Sequence, residues 1–277
     1  MNKWYESDGA RLAFRETGTG RPVVFLHPTP LDGDYWRPML EDLAGVRAIV
    51  PDLRGHGKSE LGGKLPVGAF ARVPDAPVLT MAQLAADVLA LLDYLEIPQA
   101  VFAGCSVGGY VLLELWRKAP RRMTGLAFVC SKAQPDAEAN LVKRAANIAQ
   151  VRAQGTGALF DGMAQSLIGA TARERWPEMI AELRARMTLT AEAAIAVQAG
   201  LAARPDSLPT VATINAPVLA IAGGEDSAIT PAEMEVFSAA PGGCEYHLLP
   251  DAGHFAAYEQ PRKVAALLAE WLRQPED

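Results

Sequence analysis

The sequence predicts an α/β fold: a mostly parallel sheet flanked by helices and interrupted by a helical insertion. Over the first half of the chain, and again near its end, short apolar runs alternate with amphipathic helical segments. This order implies parallel strands with helices on both faces. Between Lys132 and Leu208 no strand pattern occurs, and Ala-rich helical patterns follow one another. We therefore divide the chain into an α/β core, residues 1–131 and 209–277, and a helical insertion, residues 132–208.

Seven segments carry strand patterns. The first alternates polar and apolar residues, as a half-buried strand does, and most of the others are short apolar runs typical of strands buried on both faces. In chain order they are RLAFRE at 11–16, PVVFL at 22–26, VRAIV at 46–50, AVFAGC at 100–105, GLAFVC at 125–130, APVLAIAGG at 216–224 and CEYHLLP at 244–250.

Helical periodicity separates and follows these runs. Residues 80–97 form a long amphipathic pattern with Thr80 as the N-cap, and residues 108–119 repeat apolar side chains at helical spacing until Pro120 ends the helix. A last helix is predicted over 262–274. The insertion carries four further helical patterns, at 137–153, 157–169, 174–187 and 191–203.

The composition is that of a folded protein with a large core. Half of the 277 residues are hydrophobic and 21% are charged, which is typical of a globular chain. The net charge of −6 argues against nucleic acid or an anionic membrane as a partner, because either prefers a basic face. The chain shows neither a signal peptide nor an apolar run that could cross a bilayer, and its three scattered cysteines indicate free thiols. We expect a cytoplasmic monomer or small homo-oligomer that acts on a small molecule.

Ser106 stands between glycines in GCSVGG, after a predicted strand and before a predicted helix. This is the strand–turn–helix context of a nucleophile elbow. Gly104 and Gly108 fit that interpretation, since side chains there would collide across the tight bend. A Gly/Ser helix start without a catalytic role is the alternative, which the context disfavours. Cys105 is the stronger nucleophile by type, but it has the wrong register, and we expect it to be buried in the sheet.

A serine nucleophile needs a base, and the base needs an acid to orient it. Among the four histidines, His254 follows the last predicted strand, at the carboxyl edge of the sheet where catalytic groups of α/β folds collect. His27 follows an earlier strand and is the second choice. His56 lies in a turn-like loop. His247 lies within a strand, so a packing role is favoured for it over a catalytic one. Asp226, after the preceding strand, is predicted to orient His254, with a turn or cap role as the alternative.

Five stretches, in family order, resemble the α/β-hydrolase superfamily: FLHPTP, PDLRGHGKS, GCSVGG, GGEDSAITP and DAGHFAAYEQP. The resemblance covers nearly the whole chain. In detail the chain resembles the branch of enol-lactonases, carboxylesterases and non-haem perhydrolases, whose members carry a helical cap after the sixth strand. The resemblance implies an α/β-hydrolase fold with eight strands, the insertion as the cap, and a triad in the order Ser106, Asp226, His254.

The resemblance also implies an oxyanion hole made by the backbone N–H groups of Val107 and Thr29. The family commonly has H-G-x-P where this chain has His27, Pro28, Thr29 and Pro30. Neither proline donates an N–H, whereas Thr29 falls on the donor position, so the departure stiffens the loop and keeps the donor. The Thr29 hydroxyl either contacts the substrate or bonds nearby backbone, and the sequence leaves both open.

The function that the resemblance implies is a serine hydrolase that cleaves carboxylic esters through an acyl-enzyme. No metal or organic cofactor is expected, because the histidines show no ligand spacing. Enol-lactone hydrolysis and cofactor-free perhydrolysis use the same triad and remain open. A hypothesis of another class is a weakly catalytic receptor that binds a small ligand on a hydrolase scaffold.

Walls of the substrate pocket are expected from the insertion and from the Gly- and Pro-rich loop 61–77. Candidate substrate contacts are His27, Trp176 and Met179, although packing between helices explains the last two equally well. Four arginines of the insertion could bind a substrate carboxylate, but a position on a solvent-exposed helix face is the favoured explanation for them. These arginines are Arg144, Arg152, Arg184 and Arg186.

Overall fold

A computed structural model describes residues 1–273. Eight strands form one sheet, and the predicted fold class, a mostly parallel eight-stranded sheet flanked by helices, is confirmed. The strands are β1 (Lys3–Ser7), β2 (Ala10–Thr17), β3 (Arg21–Leu26), β4 (Val46–Pro51), β5 (Ala100–Cys105), β6 (Met123–Val129), β7 (Val218–Gly223) and β8 (Cys244–Leu249). Their order is β1-β2-β4-β3-β5-β6-β7-β8; the β1–β2 and β2–β4 pairs are antiparallel and the others parallel.

Helices connect and cover these strands. The Thr80 hydroxyl accepts a hydrogen bond from the Gln83 N–H at 3.0 Å, so the predicted N-cap is present. The α-helices are α1 (Arg37–Leu40), α2 (Met81–Tyr94), α3 (Val107–Lys118), α4 (Glu138–Gln154), α5 (Gly157–Leu167), α6 (Ala170–Arg175), α7 (Glu178–Ala185), α8 (Ala191–Ala202), α9 (Leu208–Val211), α10 (Pro231–Met234), α11 (Ala256–Glu259) and α12 (Pro261–Leu272).

Strand β1 and the helix predicted over 174–187 differ from the sequence patterns, and the short helices α1, α9, α10 and α11 were not predicted. Strand β1 was missed because it is a short edge strand with charged residues, although the hairpin signal Asp8–Gly9 precedes β2 and both residues have positive φ, 43° and 68°. The single helix predicted over 174–187 is two helices, α6 and α7, that separate at Trp176 and Pro177. Proline lacks the N–H that an uninterrupted helix needs and disfavours helical backbone in the residue before it.

The helices α4 to α9 lie between β6 and β7, so the chain leaves and re-enters the sheet at neighbouring strands. Helix α4 packs along α8. The long loop 61–77 packs behind this pair: Phe70 and Ala76 are buried against Ile148 of α4 and Ala199 of α8. The loop therefore supports the outer side of the insertion.

The parallel strands β3, β5, β7 and β8 all end at one edge of the sheet. Their following loops begin at His27, Ser106, Gly224 and Pro250 and therefore meet there. Within residues 1–273, no helix has both the length and the apolar character needed to cross a membrane.

A buried ion pair joins the amino-terminal hairpin to α2. The Arg54 guanidinium donates to both carboxylate oxygens of Asp87, at 2.7 and 2.8 Å, and each side chain is at most 3% exposed. Ser7 at the end of β1 completes the group, because its hydroxyl donates to Asp87 at 2.7 Å and its carbonyl accepts from Arg54 at 2.8 Å. Removing either charge would leave the other buried without its partner.

We expect Asp87→Ala to lower the free energy of unfolding by about 3–5 kcal/mol, because it leaves the Arg54 guanidinium buried and unpaired. Asp93→Ala is the matched control: Asp93 pairs with Arg122 at 2.8 Å, but its side chain is 67% exposed. That change should cost less than about 1 kcal/mol. Urea denaturation measures both, and equal losses would contradict the structural role given to Asp87.

Candidate active site

Ser106 occupies a sharp turn between β5 and α3. Its backbone has φ 51° and ψ −114°, a conformation that is strained for a residue with a side chain. The turn brings α3 so close to the sheet that only glycine fits on either side. A Cβ atom on Gly104 would lie 2.5 Å from the carbonyl carbon of Gly108, and one on Gly108 would lie 2.2 Å from the carbonyl oxygen of Leu26.

Neighbouring backbone and side chains hold this turn in place. The Ser106 N–H donates to the carbonyl of Val129 in β6 at 3.1 Å. Its carbonyl accepts from the Ser131 hydroxyl at 2.9 Å and from the N–H of Gly109 at 2.9 Å. With the backbone groups engaged, the hydroxyl is the part of Ser106 that reaches the adjacent cavity.

His254 and Asp226 are hydrogen-bonded to each other at the same edge of the sheet. The Nδ1 atom of His254 lies 2.8 Å from Oδ2 of Asp226, and the side chains are 4% and 0% exposed. The other carboxylate oxygen accepts from the N–H groups of Ala228 at 2.8 Å and Ile229 at 3.0 Å, which fixes its orientation. Because an ionised carboxylate only accepts hydrogen bonds, the shared proton belongs to Nδ1, and Nε2 keeps a free lone pair.

The loop after β3 brings Thr29 to the cavity that Ser106 lines. Nδ1 of His56 lies 3.0 Å from the Arg54 carbonyl, which only accepts, so His56 Nε2 in turn accepts from the Thr29 hydroxyl at 3.0 Å. Burial, together with the neighbouring His27, lowers the pKa of His56 to about 3 and keeps its ring neutral. The Thr29 hydroxyl thus donates to a side chain, that of His56.

Two backbone N–H groups, those of Thr29 and Val107, have no hydrogen-bond acceptor within the described residues. Within residues 1–273 the Thr29 N–H has no hydrogen-bond acceptor. The Val107 N–H belongs to the first turn of α3, where no intrahelical acceptor exists. Neither N–H group therefore has an acceptor among the described residues.

His27, predicted to contact substrate, does not line the cavity. Its side chain is fully buried. Nε2 accepts from the Leu53 N–H at 2.9 Å, Nδ1 donates to the Pro28 carbonyl at 3.0 Å, and burial lowers the pKa of the ring to about 4. His27 is a neutral link between the loops after β3 and β4.

Cys105 is buried in the sheet, as its register predicted. The Tyr35 hydroxyl donates to its Sγ atom at 3.2 Å, and burial raises the pKa of the thiol far above its usual range. A thiol in that environment is not a nucleophile at neutral pH. Within the described part of the chain, no three His, Cys, Asp or Glu side chains converge as metal ligands.

A cavity of about 220 Å³ lies over these groups, and Ser106, His254 and Thr29 line it. Its wall is partly apolar and partly polar, and about half of it comes from the helices between β6 and β7. The apolar lining consists of Tyr110, Met163, Leu167, Leu201, Ala228 and Ile229. The polar lining consists of Lys132, Asp136, Asn140, Lys143, Arg144, Asn147, Ser166, Gln198 and Ser227.

Several predicted wall residues lie elsewhere. Trp176 is 41% exposed, and Met179 packs among the neighbouring helices, so neither lines the cavity. Loop 61–77 contributes no lining residue because it lies behind α4 and α8. Both corrections have one cause: helical periodicity does not show which side of the insertion faces the sheet.

Of the four arginines that were candidates for binding a substrate carboxylate, three have structural partners outside the cavity. Arg152 pairs with Asp75 at 3.1 Å, Arg184 pairs with Asp161, and Arg186 lies over the Tyr258 ring. Arg144 alone of the four lines the cavity. Asn140, Lys143 and Asn147 lie on the same helix face as Arg144 and also line the cavity. The sequence analysis missed them, although their helical spacing is visible in the sequence.

The loop that carries His254 is tied to the insertion by a buried carboxylate that sequence reasoning also missed. Glu259 is 3% exposed and accepts from the N–H groups of Gly253 at 2.8 Å and Phe255 at 3.1 Å, the two neighbours of His254. It also accepts from the Gly169 N–H, just before α6, at 3.1 Å. The only sequence signal was an acidic residue placed in an otherwise apolar stretch after His254.

Comparisons with known proteins agree with the fold described above. A family model described as the alpha/beta hydrolase family matches residues 23–267. A thermophilic esterase from Thermogutta terrifontis has a TM-score of 0.87 and 32% identity, covering 99% of this chain and 98% of its own. An enol-lactonase from Burkholderia xenovorans LB400 has a TM-score of 0.86 and 27% identity over 98% of this chain and 100% of its own. The 3-oxoadipate enol-lactonase 2 of Acinetobacter baylyi is 30% identical over 228 residues, 77% of this chain and 74% of its own.

We expect the protein to lose stability as the pH falls from about 6.5 toward 4.5, because of His27 and His56. Their pKa values are lowered in the folded state, so in this range the unfolded chain binds more protons and unfolding is favoured by acid. Thermal denaturation at several pH values between about 4.5 and 6.5 measures how steeply the stability depends on pH.

His56→Asn should flatten that dependence, because it removes one group that the folded state keeps neutral. His247→Gln is the matched control, since His247 is half-exposed on β8, and it should keep the wild-type slope. If His56→Asn showed the same dependence of stability on pH as the wild type, His56 would not be a source of the acid sensitivity.

Proposed function

The chain belongs to the α/β-hydrolase family, and we propose that it is a serine hydrolase that cleaves carboxylic esters. In this proposal Ser106 is the nucleophile, His254 the general base and Asp226 the acid that orients it. The observation that carries the proposal is the buried Asp226–His254 hydrogen bond of 2.8 Å beside the cavity that the strained Ser106 also lines. A solvated turn aspartate would not be buried against an imidazole in this way.

The hydrogen bond between His254 Nδ1 and Asp226 supports the role of His254 as base. With the Nδ1 proton held by Asp226, the lone pair on Nε2 takes the Ser106 proton as the hydroxyl attacks the acyl carbon. Asp226 then stabilises the imidazolium that results. His254 returns the proton to the leaving alcohol, and water repeats the sequence to release the acid.

The backbone N–H groups of Thr29 and Val107 serve as the oxyanion hole in this mechanism. Both lack an acceptor within the described residues; Thr29 lines the same cavity as Ser106, and Val107 follows Ser106 in the chain. Donors fixed in advance stabilise the tetrahedral intermediate by about 3 kcal/mol each. The His56–Thr29 hydrogen bond keeps the Thr29 loop in position for this.

We assign residues 132–208 as a cap over the site. The segment supplies much of the cavity wall and shields an acyl-enzyme from bulk water. Substitutions in its lining should therefore change the preference for acyl length more than the attack on small activated esters. Lactone hydrolysis is the second candidate function, favoured by the enol-lactonase relatives, because a lactone is a cyclic ester that the same steps would open.

Ser106→Ala should reduce hydrolysis of p-nitrophenyl acetate by about 10³-fold or more, since it removes the attacking oxygen. Asp226→Asn should be severely impaired as well, and combining it with Ser106→Ala should add little, because the residues act as a unit. Steady-state kinetics on esters and on a panel of lactones measure these effects and separate the two candidate activities.

Ser166→Ala is the matched control, because Ser166 lines the same cavity on an exposed part of α5. It should retain activity within about tenfold of the wild type. Labelling with a fluorophosphonate probe tests the mechanism independently of the substrate. Folded protein that is neither labelled nor active would favour a ligand-binding receptor and reject the serine mechanism.

Glu259→Gln should lower kcat for ester hydrolysis about tenfold with little change in KM. The amide offers one acceptor oxygen, so at least one N–H beside His254 or in the cap loses its partner and the base is less well positioned. Glu114→Gln, on α3, is the control. A loss of stability with unchanged kcat would show that Glu259 has a structural role alone.

A further inference from the structure

One face of α4 gives the cavity an unusual polar wall. Asn140, Lys143, Arg144 and Asn147 follow the spacing i, i+3, i+4, i+7, and all four line the cavity shared by Ser106 and His254. Lys143 is exposed, whereas Asn140, Arg144 and Asn147 are partly buried. We call these four residues the α4 polar face.

Gln198 of α8 orders part of this face from the opposite side. Its side-chain oxygen accepts from Nη1 of Arg144 and from Nδ2 of Asn147, each at 3.3 Å, and the residue is 5% exposed. The guanidinium of Arg144 also pairs with Asp136. The polar face is therefore held in a defined arrangement.

Asp136 neutralises the charge of Arg144 only in part, because its carboxylate also pairs with a second arginine. Its second oxygen pairs with Arg204 at 2.8 Å. Burial opposes ionisation, but the hydrogen bonds and charges of Arg144 and Arg204 outweigh it and hold the pKa of Asp136 below its ordinary value. Two guanidinium groups thus share one carboxylate, which leaves one uncompensated positive charge.

Lys143 adds a second positive charge. Among residues 1–273 it has no acidic partner, whereas Lys132, the remaining lysine of the cavity, pairs with Glu233 at 2.7 Å. The cavity therefore carries a positive excess in a chain whose net charge is −6. Such a concentration of one sign in a cleft attracts a ligand of the opposite sign.

We propose that the α4 polar face binds an ionised carboxylate at the far end of the substrate. The donors suit that group: an ammonium, a guanidinium and two amides surround one side of a cavity whose other lining, including Met163, Leu167 and Leu201, accommodates methylene groups. The substrate class is then the half-esters or lactones of dicarboxylic acids. This inference rests on the proposed esterase function.

The test compares two esters of equal length, p-nitrophenyl hemiglutarate and p-nitrophenyl pentanoate, which differ in a terminal carboxylate. We expect the wild type to prefer the anionic ester by about tenfold in kcat/KM. Lys143→Gln should lower the ratio between the two esters about tenfold, mainly through KM. The preference should also weaken as the salt concentration rises.

The matched control is Lys118→Gln. Lys118 is an exposed lysine at the end of α3 remote from Ser106, about 17 Å along the helix. It should keep the wild-type ratio. Arg144→Gln is a second variant that should lower the ratio if the guanidinium shares the carboxylate. Equal kcat/KM for the two esters in the wild type, or a ratio that neither Lys143→Gln nor Arg144→Gln changes, would overturn the proposal while leaving the esterase function intact.

Failure of the esterase function is a separate outcome. If neither ester is hydrolysed, calorimetric titration with glutarate decides the subsite, since binding needs no turnover. Binding to the wild type that weakens about fivefold or more in Lys143→Gln supports the carboxylate site. Absent binding, or equal affinity in the two proteins, overturns it.

Discussion

The close approach of α3 to the sheet at Ser106 is the constraint on which the site depends. Gly108 lies against the carbonyl of Leu26 at the end of β3, and any side chain at that contact would push the helix away. The positive φ of Ser106 and the position of the Val107 N–H follow from this contact. The nucleophile and one donor of the proposed oxyanion hole thus share one structural origin.

The other half of the site comes from the far end of the chain and is tied to the insertion. The Leu167 carbonyl accepts from the His254 N–H at 2.8 Å, and Glu259 links both neighbours of His254 to Gly169. The segment that lines the cavity is therefore also one that fixes the proposed base. In an α/β fold with a long insertion, this arrangement couples pocket shape to the chemistry beneath it.

Local patterns predicted most of the core because each depends on neighbouring residues. Buried strands appear as apolar runs, and the Thr80 cap and the turn at Ser106 each need particular residue types within a few positions. Two local signals were nonetheless missed, the Asp8–Gly9 hairpin before β2 and the helix break at Pro177. Both were readable from the sequence.

The sequence by itself determined the sheet, its carboxyl edge and the loops on which Ser106, Asp226 and His254 lie. Those features follow from strand order and from steric requirements at a single turn. Only the tertiary structure decided which side chains face the cavity: it buried His27, turned Trp176 outward and placed the α4 polar face over the site. The reason is physical, because the rotation of a helix about its axis is set by packing against distant elements, and a one-dimensional pattern does not carry that information.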